Sequence, residues 1–353
     1  MPQSQRKHDL LVEIRYLQSH SRMRKKILVV TDNLKDQVNG VVTTFKNIES
    51  HARNDGFDIV YLDPGQFPHC DAPGYPEVKL SWPRHIGKKI EEIDPDHIHI
   101  ATEGPIGLAA RLYCDRRGIK YNTSYHTKFP EFLKKIYKIP ECLTWVYLRW
   151  FHKHSGRVLT TTQTMVDDLR AHGFTGSIIP WTRGVDRDVF QSSLRNEKLL
   201  GRPILLSVGR VSKEKGLDDF CKLDYPGATK VVVGDGPYRR ELERRYPDVR
   251  FVGTKTGRDL AMYFANADCF IFTSRTDTFG VVIIESLAVG TPVAAYPVPG
   301  PKDILEPGIT GHMSEDLADS ISKCLSYPRD RIEQASQKWT WANCWQIFKQ
   351  NLV

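Results

Sequence analysis

The chain has 353 residues, 40% hydrophobic and 26% charged, and a formal net charge of +8. Single hydrophobic cores stop growing near ~250–300 residues, so the length points to two domains. No apolar run approaches the ~20 residues of a membrane-spanning helix, the amino terminus lacks the apolar stretch of a secretory signal, and the seven cysteines (70, 114, 142, 221, 269, 324, 344) are too far apart for a zinc ribbon, a redox pair or a disulfide framework. The composition predicts a cytoplasmic protein.

Residues 1–26 carry seven Lys and Arg against Asp9 and Glu13, and 1–22 read as an extension ahead of the fold. From Arg24-Lys25-Lys26 onward, short apolar runs alternate with helical stretches. Strands are predicted at 27–31, 59–62, 98–101, 121–124, 158–161, 178–181, 204–208, 230–233, 268–273 and 292–296. Such alternation means βαβ units and parallel sheets. Ten strands are many for one doubly wound sheet, so the expected fold class is α/β with two Rossmann-like domains, breaking near Arg183-Gly184-Val185-Asp186. The segment 339–348 holds Trp339, Trp341, Trp345 and Phe348, too aromatic for an exposed helix. The expected layout is an extension at 1–22, a first domain at 23–182, a second at 183–335, and a helix at 336–353 crossing back onto the first domain.

Residues 111–157 hold eleven basic residues against Asp115, Glu131 and Glu141. Within them, Phe129, Phe132, Tyr137, Trp145, Tyr147, Trp150 and Phe151 interleave with Lys128, Lys134, Lys135, Lys138, Arg149 and Lys153. This pattern suits an anionic membrane surface, with Phe132, Tyr137 or Trp145 inserting. It equally suits an amphipathic helix with its aromatics in the core, and it is compatible with single-stranded nucleic acid.

Ligands of open α/β sheets bind beyond the carboxyl ends of strands, and the unusual residues cluster there. Asn39-Gly40-Val41 follows the first strand, Thr102-Glu103-Gly104-Pro105 the third and Tyr125-His126-Thr127 the fourth; a glycine at a loop-to-helix junction lets N–H groups approach an anion. His97 and His99 alternate on one strand with no third ligand near, so no metal is expected. In the second half, Gly209-Arg210 and Lys215-Gly216 place two cations beside a turn, a pairing that suits a diphosphate. Gly234-Asp235-Gly236-Pro237 closes the next strand. Ser274–Gly280 leads into an apolar helix from Val281, in which Glu285 is expensive to bury without a partner. Asp277 and Glu285 would set carboxylates on either side of a helix start that binds phosphate.

These motifs together resemble family 4 glycosyltransferases, which have the GT-B fold of two facing Rossmann-like domains. Within the family the chain resembles bacterial mannosyltransferases and glycolipid-forming glucosyl-, glucuronosyl- and sulfoquinovosyl-transferases. The resemblance runs from about Lys25 to the carboxyl end and includes Thr31-Asp32, Gln37-Val38-Asn39-Gly40-Val41 and Arg183-Gly184-Val185-Asp186. It implies retaining transfer of a hexose from a UDP- or GDP-linked donor to an acceptor hydroxyl, with no metal or other cofactor. It assigns the diphosphate to Arg210 and Lys215, the ribose to Glu285, and the sugar to Asp277, Thr278, Phe279, Gly280 and His126, with Gly40 at the phosphate edge. Val41, Gly209, Gly234, Asp235 and Val281 join the donor site, and Thr102, Glu103 and Arg183 the acceptor side. Asp277 departs from the Glu common in the family, which shortens the sugar contact by a methylene. The expected acceptor is a membrane glycolipid or diacylglycerol-type lipid, reached from the anionic inner face of the cell membrane, and nucleic acid is not an expected partner. The alternatives are a soluble sugar or polysaccharide acceptor, a nucleotide-sugar epimerase, and a non-catalytic sugar-nucleotide or membrane-binding protein.

Overall fold

The computed structural model describes residues 24–36, 39–72, 75–126, 128–196 and 203–353. The expected extension at 1–22, Gln37, Val38 and Thr127 lie outside the described residues, as do the side chains of Phe132 and Lys135. The strands are β1 (Lys25–Val30), β2 (Phe57–Leu62), β3 (His69–Ala72), β4 (Tyr75–Ser81), β5 (His97–Ile100), β6 (Asn122–Tyr125), β7 (Val158–Thr160), β8 (Ile178–Pro180), β9 (Ile204–Val208), β10 (Thr229–Val233), β11 (Arg250–Phe251), β12 (Cys269–Phe272), β13 (Val293–Ala295) and β14 (Gly311–Met313). All ten expected strands are present. The sequence reading missed the antiparallel β3–β4 pair and the short edge strands β11 and β14.

Two six-stranded sheets carry the fold, in the orders β2-β1-β5-β6-β7-β8 and β11-β10-β9-β12-β13-β14. The pairings recorded within both are parallel. Strands such as Ile27–Val30 and Phe270–Phe272 are buried and read as continuous apolar runs, which is what a sheet covered by helices on both faces demands. By compactness the chain divides into residues 1–122 with Val353, and residues 123–352.

In the first unit, β1 lies between β2 and β5, so the strand order reverses between β1 and β5. In the second unit it reverses between β9 and β12. Such switch points open a crevice at the carboxyl ends of the strands, and that geometry decides where a ligand can sit.

Within the second unit the helix Trp341–Gln350 packs beside β8. Trp181 Nε1 donates to the Cys344 carbonyl at 2.9 Å, and the Trp181 and Phe348 rings lie 5.0 Å apart. A Cβ on Gly184 would stand 2.2 Å from the Trp341 nitrogen, so this crossing tolerates no side chain. Trp345 and Phe348 are buried, whereas Trp341 is partly exposed. No helix among the described residues is long and apolar enough to cross a membrane.

Candidate active site

The switch point of the second sheet gathers the residues expected on the donor side. After β9 the chain turns at Gly209, exposes Arg210 and closes a short 3-10 turn, Lys213–Lys215. That turn is docked by Thr273 Oγ1, which donates to the Lys215 carbonyl at 2.8 Å. After β12 comes the loop Ser274–Gly280, then the helix Val281–Ala288. Lys215 Nζ reaches Asp277 Oδ1 at 2.5 Å, an ion pair that bridges the two loops across the crevice. The neighbouring β10 loop lies close by because two glycines permit it. A Cβ on Gly234 would stand 1.9 Å from the Gly209 carbonyl oxygen, and one on Gly236 would stand 2.4 Å from that of Val211. Both have positive φ, which L side chains rarely adopt. Asp235 accepts from the Gly236 N–H and pairs with Arg239 at 2.9 Å, contacts that hold its carboxyl below the usual range.

Glu285 stands apart from these contacts. Among the described residues it makes no hydrogen bond or ion pair, and burial alone pushes its pKa up to about 7. A carboxylate held in that state gains from any hydroxyl that donates to it.

Thr278 is a junction. Its Oγ1 donates to the His126 carbonyl at 2.8 Å, and its own carbonyl accepts from Thr161 Oγ1 at 3.0 Å. Thr164 N donates to Asp303 Oδ1 at 2.8 Å, a further tie between the same two stretches of chain. His126 Nδ1 in turn lies 3.0 Å from Arg183 Nη2. Phe279 is buried edge-on against Trp339, with ring centroids 5.7 Å apart, and fixes the loop from beneath. Gly280 caps the following helix at φ +85°, and Val281 opens that helix.

The first unit shows the same logic at its own switch point. Asn39 caps the helix Gly40–Asn54, its Oδ1 accepting from Val41 N and Val42 N. A Cβ on Gly40 would meet nothing within 4 Å, so the helix start is open there. The Thr102 hydroxyl donates to Asp32 Oδ2 at 2.6 Å, while Asp32 Oδ1 accepts from Ile106 N at 2.7 Å. Asp32 therefore anchors the Thr102-Glu103-Gly104 turn, and burial pushes its pKa up to about 6 against those hydrogen bonds. A cavity of about 560 Å³ opens beside the end of β2, bordered by Leu34, Lys35, Asp36, Tyr61, Asp63 and Gln66.

Of the expected site residues, the structure thus joins Lys215 to Asp277, and His126 to both Thr278 and Arg183. It draws Gly209 against Gly234. Thr102 is engaged internally by Asp32, and Glu103 lies in the same turn. Sequence reading passed over Thr161, Asp303 and the capping role of Asn39. Only the last has a local signal, an Asn directly before a helix start.

The basic block also sorts itself. In the helix Glu141–His152, Thr144, Trp145, Leu148, Phe151 and His152 are buried. Trp145, expected as an inserting residue, is a core residue stacked on His172 at 3.8 Å, because its place in the 3.6-residue repeat faces inward. Leu143, Val146 and Trp150, at i, i+3 and i+7, are instead 61%, 56% and 43% exposed.

Comparison with known proteins agrees with this arrangement. Residues 38–189 match the Glycosyltransferase Family 4 model, and residues 190–339 match Glycosyl transferases group 1. The chain is 28% identical to a GDP-mannose-dependent alpha-mannosyltransferase of Mycobacterium tuberculosis, covering 93% of this chain and 95% of that one. It is 24% identical to an alpha-monoglucosyldiacylglycerol synthase of Streptococcus pneumoniae, covering 87% and 80%. Among solved structures, a sucrose-phosphate synthase from Thermosynechococcus elongatus superposes with a TM-score of 0.74 over 93% of this chain and 98% of that one, at 17% identity. With two parallel sheets, a crevice at the second switch point and both halves matched, the chain belongs to the family 4 glycosyltransferases: it is a hexosyltransferase of the GT-B fold.

Proposed function

We propose that the enzyme transfers a hexose from a GDP- or UDP-linked donor to a hydroxyl of a membrane lipid, with retention and without a metal ion. The donor diphosphate lies between Arg210 and Lys215, near the start of the helix Val281–Ala288. Two fixed cations and a helix N-terminus neutralise a departing diphosphate as it forms. Asp277 takes sugar hydroxyls, Glu285 takes ribose hydroxyls, and His126 contacts the sugar. In the transfer, the bond from the sugar's anomeric carbon to the phosphate oxygen breaks, and a bond to the acceptor oxygen forms on the same face. The acceptor proton passes to the departing phosphate oxygen.

The lipid acceptor rests on one observation, the exposed stripe Leu143-Val146-Trp150. A contiguous apolar face on a soluble surface marks an interaction site. Here Arg149 lies on the same exposed face, Lys153 follows the helix, and Lys134, Tyr137 and Lys138 are exposed on the preceding segment. Apolar residues rimmed by cations suit an anionic bilayer interface. The relative named for monoglucosyldiacylglycerol supports the same reading.

Vesicle co-sedimentation tests it. Binding should rise with the anionic lipid fraction, weaken as salt shortens the field to a few Å, and fall about tenfold or more when Leu143 and Val146 both become Asp. A protein that ignores anionic vesicles at low salt would redirect the search to a soluble acceptor.

A further inference from the structure

Arg183 follows β8 and is buried, yet among the described residues it pairs with no carboxylate. Its Nη1 donates to the carbonyls of Trp181 at 2.7 Å and Thr182 at 2.9 Å. The guanidinium lies 4.7 Å from the centroid of the Trp181 ring, and Nη2 lies 3.0 Å from His126 Nδ1. Burial lowers its pKa to about 10, which still leaves it charged at neutral pH. An interior cation without a counter-charge is costly to keep, so its contacts should have a use beyond packing.

We infer that Arg183 is a positioning residue that holds His126 as the neutral Nε2–H tautomer, giving the site a fixed uncharged donor for the hexose. This rests on the reading above that His126 meets the donor sugar. A guanidinium N–H donates and never accepts, so His126 Nδ1 must offer its lone pair. The proton of the neutral imidazole then sits on Nε2. Protonating Nδ1 as well would break that hydrogen bond and set a second positive charge about 3 Å from the first.

The backbone of His126 is held independently by Thr278 Oγ1, which donates to its carbonyl at 2.8 Å. Ring and main chain are thus pinned from two segments far apart in sequence. The charged groups on those segments are Arg183 itself with Asp186 and Arg187, and Arg275 and Asp277 beside Thr278; Asp277 is engaged by Lys215, Arg275 by Glu315 and Arg187 by Ser336. The Trp181 ring, 5.8 Å from the imidazole, adds bulk and no charge.

The test is a long-range proton–nitrogen correlation spectrum of the full chain labelled with nitrogen-15 histidine, recorded from roughly pH 5.5 to 8, with His126→Gln supplying the assignment. The expected spectrum shows Nδ1 unprotonated and Nε2 protonated throughout. An Nδ1–H tautomer, or titration to imidazolium near the free value of ~6.5, would overturn the inference. Arg183→Met should exchange tautomers and titrate, and lose about tenfold in kcat/KM through kcat rather than through the donor KM. Arg183→Lys, which keeps a charge and a donor, should restore the tautomer. Once assigned through His126→Gln, the wild-type spectrum reads the tautomer with no bound donor. A locked tautomer alongside full transfer activity in His126→Ala would uphold the lock and refute the sugar contact. An unlocked ring in an enzyme that His126→Ala inactivates would refute the lock alone.

Discussion

Replacing Glu285 by Gln should make the protein more stable and less active, and the gain in stability should depend on pH. In the folded chain this carboxyl titrates at about 7, against 4.5 for an ordinary Glu. The difference corresponds to about 3 kcal/mol at ~1.4 kcal/mol per tenfold change in proton affinity, and to about 2 kcal/mol once partial exposure of the side chain is allowed for. Because the folded value is the higher one, the unfolded chain releases this proton first. Wild-type stability is therefore complete below pH 4.5 and declines as pH rises to about 7, where the buried group ionises. Gln is uncharged at every pH and avoids that decline. Urea unfolding of both proteins should show no gap near pH 4.5 and a gap of about 2 kcal/mol at pH 8. Nucleotide binding to the wild type should strengthen over the upper part of this range, about tenfold from pH 6 to pH 8, since only the carboxylate accepts two ribose hydroxyls. Calorimetric titration with free nucleotide measures this, and Glu285→Gln should bind weakly and without the pH trend. A stability gap that stays constant with pH would refute the argument that desolvation governs this group.

Arg210→Ala and Lys215→Ala should each lower kcat/KM by about 10²-fold, the scale of losing one preorganised charge contact; near-normal turnover in both would remove them from the diphosphate site. Gly234→Ala should cost more than ~2 kcal/mol, because its Cβ would stand 1.9 Å from the Gly209 carbonyl oxygen in a loop of positive φ. Thermal unfolding measures that loss, and a variant with unchanged Tm would show that the β9 and β10 loops part easily. The same variant should also weaken nucleotide binding, since the Arg210 loop rests on that contact.

What the sequence made legible was the set of strands that carry their own apolar signal. Four-residue runs such as Ile27–Val30 announce a buried parallel strand. The pair β3 and β4, with sequences HCDA and YPEVKLS, carries no such run and exists through pairing with each other. Strand β14 is equally dependent on its neighbour: a Cβ on Gly311 would stand 2.3 Å from the Val293 carbonyl oxygen. The loops that carry the candidate site were legible because chain order alone sends loops to strand ends. Partnerships were not, since Lys215 and Asp277 lie 62 residues apart and Thr161 and Thr278 lie 117 apart. The basic helix misled by residue type. Aromatics drew attention to Trp145, while helical phase gives the outer face to Leu143 and Val146.

The two hydrogen bonds of Thr278 bear on how this enzyme could be re-engineered. One residue in the stretch matched as group 1 holds His126 and Thr161 in the stretch matched as Family 4. A chimera that exchanges residues 190–339 for those of another glycosyltransferase inherits a foreign side chain at this junction. Unless that side chain is again a hydroxyl at the same height, the His126 carbonyl loses its donor and the imidazole shifts with it. On the donor site proposed above, module swapping to change the donor would then weaken catalysis on whichever sugar the new half binds. Restoring threonine at the junction is the first repair to make, ahead of any redesign of the sugar contacts themselves.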